Sequence, residues 1–241
     1  MTARATESAS QPPADAWRVL VPVAAVAMLA ALWASLFYAP TERVMGDVQR
    51  IFYFHVPAAL TMYVAYGLVF LASLMYLWKR QERWDELATA AAEVGTVFAT
   101  IVLITGPIWG KPVWGTWWVW DGRLTSTLVL WLIFVAYLML RSYGGDGQQV
   151  ARYCAVLGII GFVDLPIIHY SVTWWRTLHP GAVIMTEGSI GQGVESSMLI
   201  TIVLGVVATF LLFALMLTLR LRLERLQRRA IAAHERVREQ R

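Results

Sequence analysis

The sequence predicts an all-α polytopic membrane protein with six transmembrane helices. Its composition is the first observation: 58% of the 241 residues are hydrophobic and 15% are charged, whereas soluble domains are close to half apolar and a quarter charged. The second is the length of its apolar runs, since a helix needs roughly 20 apolar residues to cross a bilayer. Six runs meet this requirement, at about 17–38, 54–78, 88–108, 126–143, 152–172 and 196–219.

The segments around these runs complete the expected organisation. Residues 1–16 are polar, contain a proline pair and are expected to be disordered. The first run exceeds the roughly 7–15 residues of a signal-peptide core, so we expect a retained helix and one membrane domain over 17–219. Residues 40–54 predict a short amphipathic helix lying on the outer membrane interface. Residues 220–241 predict a basic cytoplasmic helical tail that continues the last helix.

The basic residues predict the orientation. The N-terminus, the second and fourth loops and the tail hold 15 of the 20 lysines and arginines. The first, third and fifth loops hold the other five, which are Arg43, Arg50, Lys111, Arg123 and Arg176. Cytoplasmic segments carry the excess of positive charge. Both termini are therefore expected in the cytoplasm, and the odd-numbered loops on the outer, periplasmic side.

A tryptophan-rich segment lies between the third and fourth runs. It reads WGKPVWGTWWVWDGRLTS over residues 109–126 and holds five of the 12 tryptophans: Trp109, Trp114, Trp117, Trp118 and Trp120. Gly110 and Gly115 disfavour a regular helix, so we expect an outer loop over 109–125. An interfacial aromatic belt explains single tryptophans at helix ends, but not five indoles interleaved with glycine, proline and aspartate.

Three of the four histidines are expected on the same outer side. His55 and His169 lie near outer helix ends, His179 lies in the fifth loop, and His234 lies in the tail. A flat macrocycle with a central iron requires two imidazoles from opposite faces, apolar walls and cations for its carboxylates. His55 and His179 come from different segments and could supply the imidazoles. Tryptophans could supply the walls, and Arg123 with Lys111 the cations.

Other kinds of site compete with this interpretation. The outer side also offers carboxylates for zinc, but the sequence has no HExxH and no histidine pair spaced for one helix face. A b-type electron carrier would hold its ligands inside transmembrane helices, whereas these histidines lie at helix mouths or in loops. Asp164 is an acid within an apolar run, which marks either a functional group or a hydrogen-bonded structural one.

Several classes of function are excluded or disfavoured. The single cysteine, Cys154, excludes a disulfide framework, a CxxC redox pair and a CxxCH haem-attachment site. The sequence contains no GxxxxGK[ST] phosphate loop and no GxGxxG after a strand, which disfavours nucleotide-driven work by this chain. Apart from proteins, the chain is expected to contact membrane lipid and no nucleic acid.

The tryptophan-rich segment strongly resembles the "WWD" signature of the haem-handling membrane proteins of cytochrome c maturation. The length, the six helices and the motifs RIFYFHVPAA and HYSVTWWRTLHP resemble the maturation protein C family within that group. The resemblance runs from about Thr41 to Ile200. Larger proteins with the same signature have more helices and additional histidines.

The resemblance implies a haem site. His55 and His179 become the axial ligands of a transiently bound haem b. The platform for its ring becomes Trp109, Trp114, Trp117, Trp118, Trp120, Asp121 and Arg123. The implied function is to bind haem at the periplasmic face of the bacterial inner membrane and to deliver it to a periplasmic chaperone for cytochrome c biogenesis.

The resemblance also implies partners. These are the covalent haem chaperone (maturation protein E), a small single-helix subunit (maturation protein D) and an ATP-binding-cassette pair (maturation proteins A and B). The chain is not expected to be an enzyme in the turnover sense, although it could promote attachment of haem to the chaperone. A transporter that moves haem across the bilayer and an electron carrier that keeps its haem are the alternatives.

Overall fold

Six helices form the protein in the computed structural model, which describes residues 16–145, 147–179, 185–186, 189–190 and 195–239. They are α1 (Ala16–Trp33), α2 (Phe52–Lys79), α3 (Glu82–Trp114), α4 (Gly122–Tyr143), α5 (Gln148–Trp174) and α6 (Ser196–Glu239). Each is part of a helical stretch long and apolar enough to cross a membrane. The predicted all-α class with six spans is confirmed. Two short strands, β1 (Met185–Thr186) and β2 (Ser189–Ile190), pair antiparallel.

Helix α2 lies at the centre of the bundle, where it packs against α3, α5 and α6. Stacked aromatic rings join it to its neighbours: buried Tyr66 stacks on buried Phe134 of α4 at 3.7 Å between ring centroids, and half-buried Phe70 stacks on half-buried Phe162 of α5 at 4.1 Å. Gly95 lets α3 approach α2 closely, because a Cβ atom at this position would lie 2.9 Å from the Cβ of Ala65 in α2. This tight packing holds α2 and α3 rigidly side by side.

Ion pairs fix the end of the bundle that lies away from the tryptophan-rich segment. Arg141 near the end of α4 donates to both carboxylate oxygens of Asp85 at the start of α3. Arg220 of α6 donates to both carboxylate oxygens of Glu93. Charges removed from water require such partners, so α4 and α6 are both tied to α3 at this end.

The tryptophan-rich segment is more helical than its glycines predict. Helix α3 continues to Trp114, and α4 already begins at Gly122, so only residues 115–121 are irregular. The predicted loop over 109–125 is therefore wrong at both ends. Gly110 lies under the ring of Trp114, where a Cβ would be 3.1 Å from the indole Cε3. Gly115 ends the helix with φ of 78°, a left-handed conformation that glycine adopts readily.

The segment between α1 and α2 also differs from its prediction. Instead of one amphipathic helix over 40–54, a turn is followed by a 3₁₀ helix (Asp47–Ile51) that leads directly into α2. Gly46, with φ of 61°, separates the turn from the 3₁₀ helix. Val44, which an amphipathic helix would place on its apolar face, is 90% exposed. Arg50 donates to the carbonyls of Ser35 at 2.6 Å and Ala39 at 3.2 Å. This guanidinium ties the end of α1 to the start of α2.

The remaining predicted segments are the termini. Helix α6 continues without interruption from its membrane span through the basic tail to Glu239. The N-terminal segment predicted to be disordered lies outside the described residues, apart from Ala16.

Candidate functional site

His55 lies in the first turn of α2 and is held against α3. Its ring Nδ1 is 2.8 Å from the hydroxyl oxygen of Thr105. That hydroxyl donates its own hydrogen to the carbonyl of Ile101, one turn earlier in α3, at 2.7 Å. The Cε1 atom of the ring lies close to Gly106, 3.4 Å from where a Cβ would stand. The orientation of His55 is therefore set by the packing of α2 on α3.

His179 follows the end of α5 and contacts residues of the tryptophan-rich segment. Its Nδ1 is 3.1 Å from a guanidinium nitrogen of Arg123, and its ring meets Trp114 edge-on at 6.2 Å. Its backbone N–H donates to the hydroxyl of Thr177 at 3.0 Å. His55 and His179 both lie beside the later part of α3, the first at Thr105 and the second at Trp114. The fold thus brings the two predicted ligands to one end of the bundle.

Asp121 connects the tryptophan-rich segment to the segment that carries His179. One of its carboxylate oxygens accepts the backbone N–H of Leu124 at 2.8 Å and caps the N-terminus of α4. The other oxygen accepts the hydroxyl hydrogen of Thr177. The side chain is buried. Asp121 therefore acts as a helix cap and as a tie between α4 and His179.

Arg123 is the second tie between these segments. Besides His179, it donates to the carbonyls of Ile168 at 3.3 Å and His169 at 3.0 Å, both in α5. A contact with a haem carboxylate, which the sequence predicts, would require Arg123 to leave part of this network. Lys111 is likewise engaged, because its ammonium donates to the carbonyl of Gly115 at 2.9 Å and caps α3.

The five predicted indoles form two edge-to-face pairs and one separate ring. Trp109 meets Trp114 at 5.0 Å, and Trp118 meets Trp120 at 5.6 Å between centroids. Trp117 is 59% exposed. A shallow apolar groove of about 370 Å³ runs between α3 and α4, and it is lined by Leu103, Trp118, Trp120 and Leu128.

The indole N–H groups provide a test of whether a carboxylate-bearing ring fits this end of the protein. Those of Trp109 and Trp118 are buried and have no hydrogen-bond partner within the described part of the chain. Buried donors are normally paired. The indole N–H groups of Trp17 and Trp84, which lie away from this end of the protein, are equally buried and, over the same residues, unpaired. The fit therefore rests on the apolar ring faces and the two imidazoles, which suit a flat macrocycle with a central metal.

Some candidates from the sequence lie outside this arrangement. The ring of His169 packs edge-on against Tyr170 and lines a separate groove of about 340 Å³ with Tyr63 and Pro166. His234 is exposed on the tail of α6. A carboxylate oxygen of Asp164 is buried without a partner among the residues described here. Over these same residues, no three His, Cys, Asp or Glu side chains cluster as a metal site.

Thr105 and Thr177 are the site residues that sequence reasoning missed. Thr105 lies within α3 and Thr177 follows the end of α5, and threonine is common in both places. Thr105 contacts His55 across 50 positions, and Thr177 contacts Asp121 across 56. No local pattern encodes pairs at such separations.

Comparison with known proteins identifies the family of the chain. A family model described as heme exporter protein C matches residues 4–236. Heme exporter protein C of Escherichia coli K12 is 45% identical over 168 residues, which is 68% of both chains. The protein of that name from Paracoccus denitrificans is 35% identical over 89% of this chain and 88% of its own. A cytochrome c biosynthesis ccmC-like mitochondrial protein of Marchantia polymorpha is 36% identical over 76% of this chain and 74% of its own.

Proposed function

The chain belongs to the heme exporter protein C family, and from this premise we propose that it binds haem and delivers it for cytochrome c biogenesis. The site is proposed to face the periplasm at a bacterial inner membrane, with maturation protein E as the acceptor. The observation that carries the proposal is the convergence of His55, His179 and the tryptophan groove at one end of the bundle.

Each part of the site has a proposed role toward the cargo. His55 and His179 bind the iron as axial ligands. The rings of Trp118 and Trp120 form an apolar wall for the macrocycle. Trp109 and Trp117 complete the platform, and Trp114, Asp121 and Arg123 also hold the His179 segment in place.

Delivery is favoured over transport of haem through this chain. Transporters often bind substrate at helices that unwind near the membrane midplane. Here α2, α3 and α5 continue as helices through Pro57, Pro107 and Pro166. Energy is proposed to come from an ATP-binding-cassette pair, maturation proteins A and B, together with the small subunit, maturation protein D. The chain itself is proposed to bind and hand over haem without enzymatic turnover.

Haem binding by the purified protein tests this function. Because two imidazoles are available, we expect added haem to give a six-coordinate, low-spin optical spectrum. Metal-free protoporphyrin, which has the same ring and carboxylates, should bind at least ten-fold more weakly, since a 10-fold change corresponds to about 1.4 kcal/mol and the iron ligands would be lost. Equal affinity for both rings would contradict axial coordination.

The orientation makes a separate prediction. Cysteines placed at the exposed positions Lys111 and Gln227 should lie on opposite sides of the membrane, because basic segments stay in the cytoplasm. In intact cells with a permeable outer membrane, an impermeant thiol reagent should label Lys111→Cys, and Gln227→Cys only after lysis. The native Cys154 is buried and should give little background. The reverse labelling pattern would place the site on the cytoplasmic side.

A further inference from the structure

The hydrogen bonds around His55 determine which of its ring nitrogens carries the proton. The hydroxyl of Thr105 donates to the carbonyl of Ile101, so its oxygen faces the imidazole as an acceptor. With this pattern of hydrogen bonds, the Nδ1 atom of His55, 2.8 Å away, is the donor. A neutral imidazole carries one proton, so Nε2 of His55 is left with a free lone pair, the form that binds a metal.

The hydrogen bonds around His179 lead to the opposite result. A guanidinium has only donors and is always charged. The Nδ1 atom of His179, 3.1 Å from Arg123, must therefore accept. The proton of the neutral ring is then on Nε2. In this form the Nε2 atom of His179 has no lone pair for a metal.

We propose that the two histidines are held in opposite tautomers before haem arrives, with Thr105 and Arg123 as the positioning residues. His55 is then ready to bind iron through Nε2, whereas His179 binds only after Arg123 leaves its Nδ1 atom. This inference rests on the proposed function insofar as both histidines bind haem iron.

The contact between Arg123 and His179 has to break whichever ring nitrogen of His179 binds the iron. If iron binds Nε2 of His179, the ring proton moves to Nδ1, where it would face the N–H groups of the guanidinium. If iron binds Nδ1, the metal takes the place of Arg123. His55 is therefore the first ligand to bind and the last to leave, and His179 is the ligand that exchanges when haem is transferred.

The tautomers can be measured directly in the haem-free protein. In protein labelled with ¹⁵N-histidine, at a pH where both rings are neutral, we expect His55 to show a protonated Nδ1 and a bare Nε2. His179 should show the reverse, and the variants His55→Asn and His179→Asn assign the signals. The same tautomer at both rings, or a protonated Nε2 at His55, would overturn the proposal.

Substitutions of Thr105 test its positioning role. Thr105→Val keeps the shape but removes the acceptor, and it should raise the haem Kd by roughly 10- to 100-fold, as losing an outer-shell partner of a metal ligand does. Thr105→Ser should restore affinity and the His55 tautomer. Thr218→Val is the matched control, because the Thr218 hydroxyl also donates to a carbonyl one turn earlier, that of Ala214 at 2.7 Å.

These measurements separate the inference from the proposed function. Wild-type affinity and an unchanged His55 tautomer in Thr105→Val would overturn the inference and leave haem delivery intact. Opposite tautomers in a protein that binds no haem would support the hydrogen-bond assignment and contradict the proposed function.

Discussion

Replacement of His55 by alanine should convert bound haem from a six-coordinate, low-spin form to a five-coordinate one and lower its affinity. His55 is proposed to supply the first iron bond, and no other imidazole is hydrogen-bonded beside Thr105 in the described structure. The loss of haem affinity should exceed the roughly 10- to 100-fold loss that follows removal of a hydrogen-bond partner of a metal ligand. Optical and electron paramagnetic resonance spectra, with a haem titration, measure both effects.

His179→Ala should also give five-coordinate haem, but with a smaller loss of affinity, because His179 must first give up its hydrogen bond to Arg123. His169→Ala and His234→Ala are the controls. The ring of His169 lines a different groove, and His234 is exposed on the tail. A normal spectrum in His179→Ala together with a lost ligand in His169→Ala would reassign the pair.

Replacement of Trp120 by alanine should impair transfer of haem to the chaperone more than it impairs haem retention. Trp120 is 76% exposed and lines the groove with Trp118, so it can present the ring to a partner without binding the iron. We expect transfer to fall about 10-fold, because a stacking contact worth about 1–3 kcal/mol is lost while the ring is handed over, whereas the iron bonds to the histidines maintain retention. Haem stain on the covalent chaperone, beside the haem content of the purified variant, measures the two effects.

Trp78→Ala is the matched control for this prediction. Trp78 is 77% exposed but lies at the last turn of α2, away from the site, where it fits an interfacial belt. Trp118→Ala should follow Trp120→Ala. If all three variants loaded the chaperone as the wild type does, the tryptophans would be membrane anchors and the platform would be wrong.

The transmembrane architecture could be predicted from sequence because hydropathy and charge are local properties. Each apolar run became a helix, and α2 to α6 are longer than their runs, whereas α1 ends at Trp33, before its run does. Helix α6 continues through a basic segment to Glu239, and α3 passes Gly110 and Pro112 to reach Trp114. These extensions depend on packing, such as that of Gly110 under Trp114, which a hydropathy count does not contain.

The site could be predicted only as a set of residue types. The two histidines and the tryptophans share one end of the protein because the start of α2 and the ends of α3 and α5 meet there. Their hydrogen-bond partners depend on how α3, α4 and α5 pack. The interactions of Thr105 with His55 and of Arg123 with the carbonyls of α5 join residues 45 to 50 positions apart. The roles of Arg123 and Asp121 as ties to the His179 segment follow from their contacts with His179 and Thr177.

Transfer of haem in a single turnover tests the delivery function most directly. Purified protein loaded with one haem, together with maturation proteins A, B and D and ATP, is mixed with haem-free maturation protein E, and the haem on each protein is followed over time. Our account predicts that the six-coordinate spectrum decays as haem appears on the chaperone, more slowly for Trp120→Ala than for Trp78→Ala. Haem that stays on the loaded protein while the chaperone remains empty would contradict delivery and favour a permanent electron carrier.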